Sequence, residues 1–423
     1  MTRMGGELVR ENAGGRSLRG HQTVTLGLLF FAGMVNFLDR SSLAIANTTV
    51  RAEMHLNATQ MGWLLSAFSL AYGVAQLPLI GLLDRAGTRK VLGGGLVLWS
   101  AAQMLTGLVR GFPMFIALRV LLGVGEAPFY PAGVRSVREW FSAKTRARAT
   151  AVMSSSSTIG LAVAPPLLTW IMLSLGWRAM FVVLGAAGLA VAVAWIALHR
   201  ARRETEFHEE VVETKTPEAA WRALIRQRTV WGMMLGWGGI NYTVWLYLAW
   251  LPGYLQEQRH LSLARTGVVA AVPFLAGAVG MWSSGVVSDW LAHRGEALTT
   301  VHRRNIVCGM LVSALSTFLV ARSATTVEAV AGISGAIFCI HFAGTSGWGY
   351  VQTVSPLKYV ASLGALQNFA SFMIASAGPV LTGWLLDRTH SFTIALSVCS
   401  AVTLLGAVSY ATLAAPDGMR LER

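Results

Sequence analysis

The chain has 423 residues, 54% of them hydrophobic and only 13% charged, about half the charge of an ordinary soluble domain, roughly 25%, which excludes a water-soluble enzyme. The net charge of +14 does not point to nucleic acid, because the basic residues segregate. With the N-terminus placed inside and each apolar run reversing sides, most of the 34 Lys and Arg fall on the N-terminal side of the membrane, a positive-inside asymmetry that predicts cytoplasmic N- and C-termini.

Residues 1–23 read as a cytoplasmic tail, long and polar and without a small-residue cleavage site behind a short apolar core, so the first span is expected to be retained. Apolar runs long enough to cross a bilayer, about 20 residues each, follow near 24–45, 61–83, 91–110, 113–134, 149–172 and 179–198. Next comes the one long polar segment, 199–228. At roughly 30 residues it is too short for an independent domain and reads as a cytoplasmic linker. Six more runs lie near 229–255, 264–288, 305–321, 326–352, 361–386 and 391–414, before a tail at 415–423. The expected fold is an all-α membrane protein of twelve transmembrane helices in two six-helix bundles, 24–198 and 229–414.

Short elements recur between the halves. GLLDRAGTRK at 81–90 follows the second run and GVVSDWLAHRG at 285–295 the eighth, which puts Asp84 and Asp289 at corresponding loop starts; PLLT at 166–169 likewise matches PVLT at 379–382. Repeated halves suit an alternating-access transporter with its substrate site near mid-membrane. GGG at 93–95 and GVG at 123–125 lie within apolar runs and read as helix-packing glycines rather than a phosphate loop. Cys308, Cys339 and Cys399 lack metal-ligand spacing and read as small core residues. No nucleophile–base set or H-E-x-x-H cluster is present, so neither an enzyme nor a cofactor is expected.

Ionisable residues inside the runs are few: Asp39, Arg40, Arg119, Glu126 and His341. Such residues are costly in hydrocarbon and mark functional sites. Asp39 and Arg40 are neighbours, which on a helix do not face each other, so each needs a partner elsewhere. Arg119 and Glu126 are two helical turns apart and share one face of the fourth span. The expected pairs are Asp39 with Arg119 and Arg40 with Glu126. They are either glue between spans one and four or a coupling site, since a buried carboxylate without full charge compensation can take up a proton near neutral pH. His341 is either a hydrogen-bonded core residue or a ligand.

The run D-R-x-G-x-R-K at 84–90 resembles the loop 2–3 signature of the major facilitator superfamily. RVLLGVGEAPFYPAG at 119–133, with WF at 140–141, RAR at 146–148, N-x-x-D-R at 36–40, GWRAMF at 176–181 and LAWLPGYL at 248–255, resembles its anion:cation symporter family. One departure is that the loop glycine, Gly81, stands three before Asp84 rather than four. The resemblance implies proton-coupled uptake of a small organic anion by a monomer in the lipid bilayer of a cell inner membrane, a uniporter or exchanger being the alternative. It implies Arg40 as the anion contact, Glu126 as the main coupling carboxylate, and Asp39 with Arg119 as a second proton-sensitive pair. Tyr72, Ser157, Asn241, Thr345, Trp348 and Asn368 are implied as pocket residues, and Asp84, Arg85, Arg89 and Asp289 as gating residues, the arginines bridging the halves. Arg135, Arg138, Lys144, Arg146 and Arg148 are expected to anchor an interfacial helix with Trp140 and Phe141 among the headgroups. Phe37 and Ser157 stand where sugar-acid members typically carry tyrosine and glutamine. Because buried hydroxyls need partners, this favours a less hydroxylated carboxylate, with hexonates and hexuronates still open.

Overall fold

The structure, a computed structural model, describes residues 2–200, 217–415 and 419, whose regular elements are all α-helices. The N-terminal half comprises α1 (Thr2–Glu53), α2 (Ala58–Thr106), α3 (Phe112–Glu126), α4 (Phe129–Trp140) and α5 (Ala143–Leu198). The C-terminal half comprises α7 (Arg228–Glu257), α8 (Leu263–His293), α9 (Leu298–Val320), α10 (Thr326–Val354), α11 (Leu357–Thr389) and α12 (Phe392–Thr412), preceded by the short α6 (Pro217–Ile225). Of the expected linker, 201–216 lie outside the described residues, as do 416–418 and 420–423 of the C-terminal tail.

Twelve crossings result, although their boundaries differ from the sequence reading. The second and third runs form one bent helix, α2, because Gly87 adopts φ 76 and ψ 161 and redirects the chain with only a brief interruption; a left-handed backbone of this kind favours glycine. Gly176, at φ 82, does the same between the fifth and sixth runs within α5. The fourth run is instead divided into α3 and α4 around Ala127–Pro128, where proline removes a backbone donor. Residues assigned to the N-terminal tail extend α1, which begins at Thr2.

The halves meet along three seams: α1 on α7, α2 on α11 and α5 on α8. At one end they are locked together. Arg51 Nη1 lies 2.6 Å from Glu257 Oε1, and Thr48 Oγ1 donates to Gln256 Oε1 at 2.8 Å. Asp387 of α11 accepts from the first backbone amides of α2, Ala58 and Thr59, at 2.9 and 2.8 Å, and from Thr59 Oγ1 at 2.5 Å. Glycine makes the approach possible: a Cβ on Gly62 would strike the Pro379 carbonyl and one on Gly267 the Thr169 side chain. Both contacts come from the repeated PLLT and PVLT elements, which therefore occupy equivalent seams. At the other end, among the described residues, the ion pairs stay within one half, as in Arg135 with Asp84 at 2.7 Å and Arg304 with Glu296 at 3.0 Å.

Two expectations about packing are corrected. Trp140 is buried, stacks on His21 at 5.6 Å between centroids and accepts a 2.7 Å hydrogen bond at its carbonyl from Gln22, so its ring packs between α4 and α1 instead of being presented to the surroundings. Cys399 is buried as expected, but Cys339 is only half-buried and Cys308 of α9 is exposed. The helix face that a small residue occupies is set by tertiary packing, which composition does not reveal.

Candidate functional site

Between the halves lies a cavity of about 330 Å³. Phe37 and Arg40 of α1 and Ser157, Thr158 and Leu161 of α5 line one wall; Trp237, Asn241 and Trp245 of α7, His341, Thr345 and Trp348 of α10 and Phe372 of α11 are on the other side. Most of this surface is apolar, as in a small-molecule site with a few placed polar groups. Trp348 is 43% exposed.

Arg40 is the only Lys or Arg on the cavity wall among the described residues. Its Nε donates to Glu126 Oε2 at 2.8 Å. Its guanidinium carbon also lies over the rings of Tyr72 at 4.7 Å, Phe37 and Phe68 at 5.2 Å and Trp245 at 6.0 Å. Aromatic faces attract a cation that has been removed from water and hold the fork in one place. Glu126 lies behind Arg40, fully buried, with Oε1 unpartnered. The expected Arg40–Glu126 contact is therefore present.

The second expected pair is not in contact. Asp39 is fully buried and neither carboxylate oxygen has a hydrogen-bond partner among the described residues. Arg119, also buried, donates through Nε to the Leu64 carbonyl at 3.2 Å and lies over Phe68 at 5.2 Å, leaving Nη1 unpartnered. The carbonyl and the ring, neither of which a charge-matching argument includes, hold Arg119 away from Asp39.

Of the other pocket residues, Ser157, Asn241, Thr345 and Trp348 line the cavity, and so does His341. Tyr72 does not line it: it packs on Phe372 at 4.9 Å and supports Arg40 from behind. Asn368 is also outside the lining and donates to Gln76 Oε1 at 2.9 Å, a hydrogen bond between α11 and α2 across the halves. Asp84 binds Arg135, Arg85 is exposed, and Asp289 is exposed on α8. Arg89 donates through Nε to the Ile196 carbonyl at 3.1 Å, and through Nη2 as well. It thus links spans within the N-terminal half instead of bridging to the other half. The locked end, with Arg51, Glu257 and Asp387, was not anticipated from sequence. Its one legible sign was charge placed just beyond the spans, which reads equally as an ordinary solvated loop.

The description of the Major Facilitator Superfamily matches residues 29–379. The chain is 48% identical over 400 residues to the probable L-galactonate transporter of Escherichia coli, covering 92% of this chain and 88% of that one. It is 32% identical over 411 residues to the probable galactarate/D-glucarate transporter GarP of the same organism, covering 90% and 92%. Its fold is similar to the crystal structure of a bacterial homolog of the human lysosomal transporter Spinster in an inward-facing and unoccupied conformation, with TM-score 0.75 and 17% identity over 93% and 95% of the two chains. Twelve crossings, two halves meeting at a central cavity and a match across most of the length lead to one conclusion: the chain belongs to the Major Facilitator Superfamily, as a multi-pass membrane transporter and not an enzyme.

Proposed function

We propose that the protein takes up a sugar acid or a similar small carboxylate together with a proton, by alternating access, across the inner membrane of a bacterial cell. The observation that carries this reading is Arg40, a single fixed cation on an apolar cavity with a buried carboxylate directly behind it. An incoming carboxylate competes with Glu126 for the guanidinium. Glu126 then loses its partner while buried, and an unpaired buried charge costs several kcal/mol, so it takes up a proton. Anion and proton each favour binding of the other, and that reciprocity is coupling. Asp39, buried beside Arg40 without a hydrogen-bond donor, is the second carboxyl group of the set.

Substrate class is supported by the relatives, whose names specify L-galactonate and galactarate or D-glucarate. The cavity provides hydroxyl partners at Asn241, His341 and Thr345, which offsets the loss of long polar groups at Phe37 and Ser157 and favours a hydroxylated acid over the less hydroxylated one. With the termini in the cytoplasm, as the basic residues suggest, the locked end faces outward and the Asp84 end faces the cytoplasm. The bundles 24–198 and 229–414 then rock about the cavity in a functional monomer, and Asp84, Arg85, Arg89 and Asp289 act at the inner gate. Binding of L-galactonate to purified protein, measured calorimetrically, is expected for the wild type and lost in Arg40→Ala. Undiminished binding by that variant would remove Arg40 from the site.

A further inference from the structure

The polar groups on the wall opposite Arg40 are already committed in one direction. His341 Nδ1 lies 2.9 Å from the Ile337 carbonyl. A carbonyl can only accept, so Nδ1 carries the hydrogen and Nε2 of the neutral ring is a bare acceptor. Thr345 donates its hydroxyl hydrogen to the His341 carbonyl at 3.1 Å, leaving Oγ1 with only lone pairs to offer. Asn241 Nδ2 donates to the Trp237 carbonyl at 3.2 Å, which fixes the amide orientation and leaves Oδ1 as an acceptor. The donors remaining on this wall are the second amide hydrogen of Asn241 and the neutral indole N–H groups of the lining tryptophans Trp245 and Trp348.

A sugar hydroxyl both donates and accepts, so it can use every one of these groups. A carboxylate only accepts. Placed against that wall it would meet three fixed acceptors, two kinds of neutral donor and no cation, since Arg40 is bound to the first carboxylate. Burying a charge on such terms is costly. We infer that the wall formed by Asn241, His341 and Thr345 is a selectivity device: it accepts the hydroxylated end of a monocarboxylate and rejects a second carboxylate, so the protein transports hexonates and discriminates against hexarates. The inference rests on Arg40 being the contact for the first carboxylate.

L-Galactonate and galactarate form a matched pair, differing only in a terminal CH2OH against a carboxylate. Their dissociation constants would be measured calorimetrically on the intact detergent-purified protein, above the ordinary histidine titration range. The expected result is wild-type binding of L-galactonate at least tenfold tighter than galactarate. His341→Phe, which removes one neutral acceptor, should weaken L-galactonate about fivefold and improve galactarate little. His341→Lys, which replaces that acceptor with a cation, should tighten galactarate at least tenfold, with ligand-free melting used to confirm that each variant is folded. Equal wild-type affinity for the two acids would overturn the inference, as would His341→Phe and His341→Lys both leaving the ratio unchanged. In either case the Arg40 site would stand if Arg40→Ala still abolished binding. If neither acid bound, the inference and the proposed substrate would fall together.

Discussion

Arg40 combines two kinds of restraint: one guanidinium edge is bound to Glu126 and the plane is surrounded by Phe37, Phe68, Tyr72 and Trp245. A lysine reproduces the charge but neither the fork nor the stacking, so Arg40→Lys should weaken L-galactonate binding by roughly tenfold to a hundredfold, and titration calorimetry on that variant would check it. The Arg40–Glu126 contact was legible in the sequence because two helical turns separate Arg119 from Glu126 and the charges must balance in hydrocarbon. That Asp39 and Arg119 stand apart was not legible, since the Leu64 carbonyl and the Phe68 ring that take up Arg119 leave no charge pattern. A different residue-scale feature lies at the end of α5. His199 is fully buried, stacks on Trp195 at 4.0 Å and contacts Thr25 at 3.3 Å. Burial, and then the nearby Arg89 charge, pull its pKa down to about 4. The unfolded chain therefore binds more protons than the folded one between about pH 4 and the ordinary histidine value. Stability is full above that window and falls as pH drops through it. His199→Phe should flatten the decline of melting temperature over this range, and a pH-independent wild-type melting temperature there would contradict the assignment.

Elements join differently than apolar runs suggest, because a bend at Gly87 or Gly176 costs a helix few hydrogen bonds while hydropathy sees only the polar residues around it. Helix count and order were readable; the continuity of α2 and α5 was not. The locked end is illegible in sequence for a related reason: Asp387 and Ala58 are 329 residues apart, and nothing local marks a carboxylate as the cap of a distant helix. There Asp387 serves both as acceptor for two orphan amides and as the negative charge at the positive end of the α2 dipole. Asp387→Asn should shift the balance toward opening at this end by roughly tenfold, observed as longer distances between spin labels on the ends of α2 and α11. Gly62→Ala should do so more completely, because the obstacle is the Pro379 backbone, which cannot swing aside. At the opposite end, Asp84→Asn removes the negative charge from the 2.7 Å contact with Arg135; turnover should slow while equilibrium affinity stays near wild type, and loss of affinity in a folded variant would place Asp84 in the site instead.

Across the whole molecule, the cavity lies between the two halves, and among the described residues Glu126 behind its wall is the carboxylate paired with the cavity's cation. Locking by Arg51–Glu257 and Asp387 at one end, with ion pairs at the other confined to single halves among the described residues, fits one of the two states of the proposed alternating access. In the proposed coupling, Glu126 takes up the transported proton when the anion's arrival at Arg40 frees it from the guanidinium. Glu126→Gln imitates the protonated side chain at nearly constant size, so in proteoliposomes it should still exchange labelled for unlabelled L-galactonate, a process that needs no net proton movement. The direct measurement is uptake of labelled L-galactonate by these proteoliposomes under an imposed inward proton gradient: the account predicts that Glu126→Gln fails to accumulate substrate above equilibrium while wild type does, and accumulation by the variant at the wild-type level would contradict it.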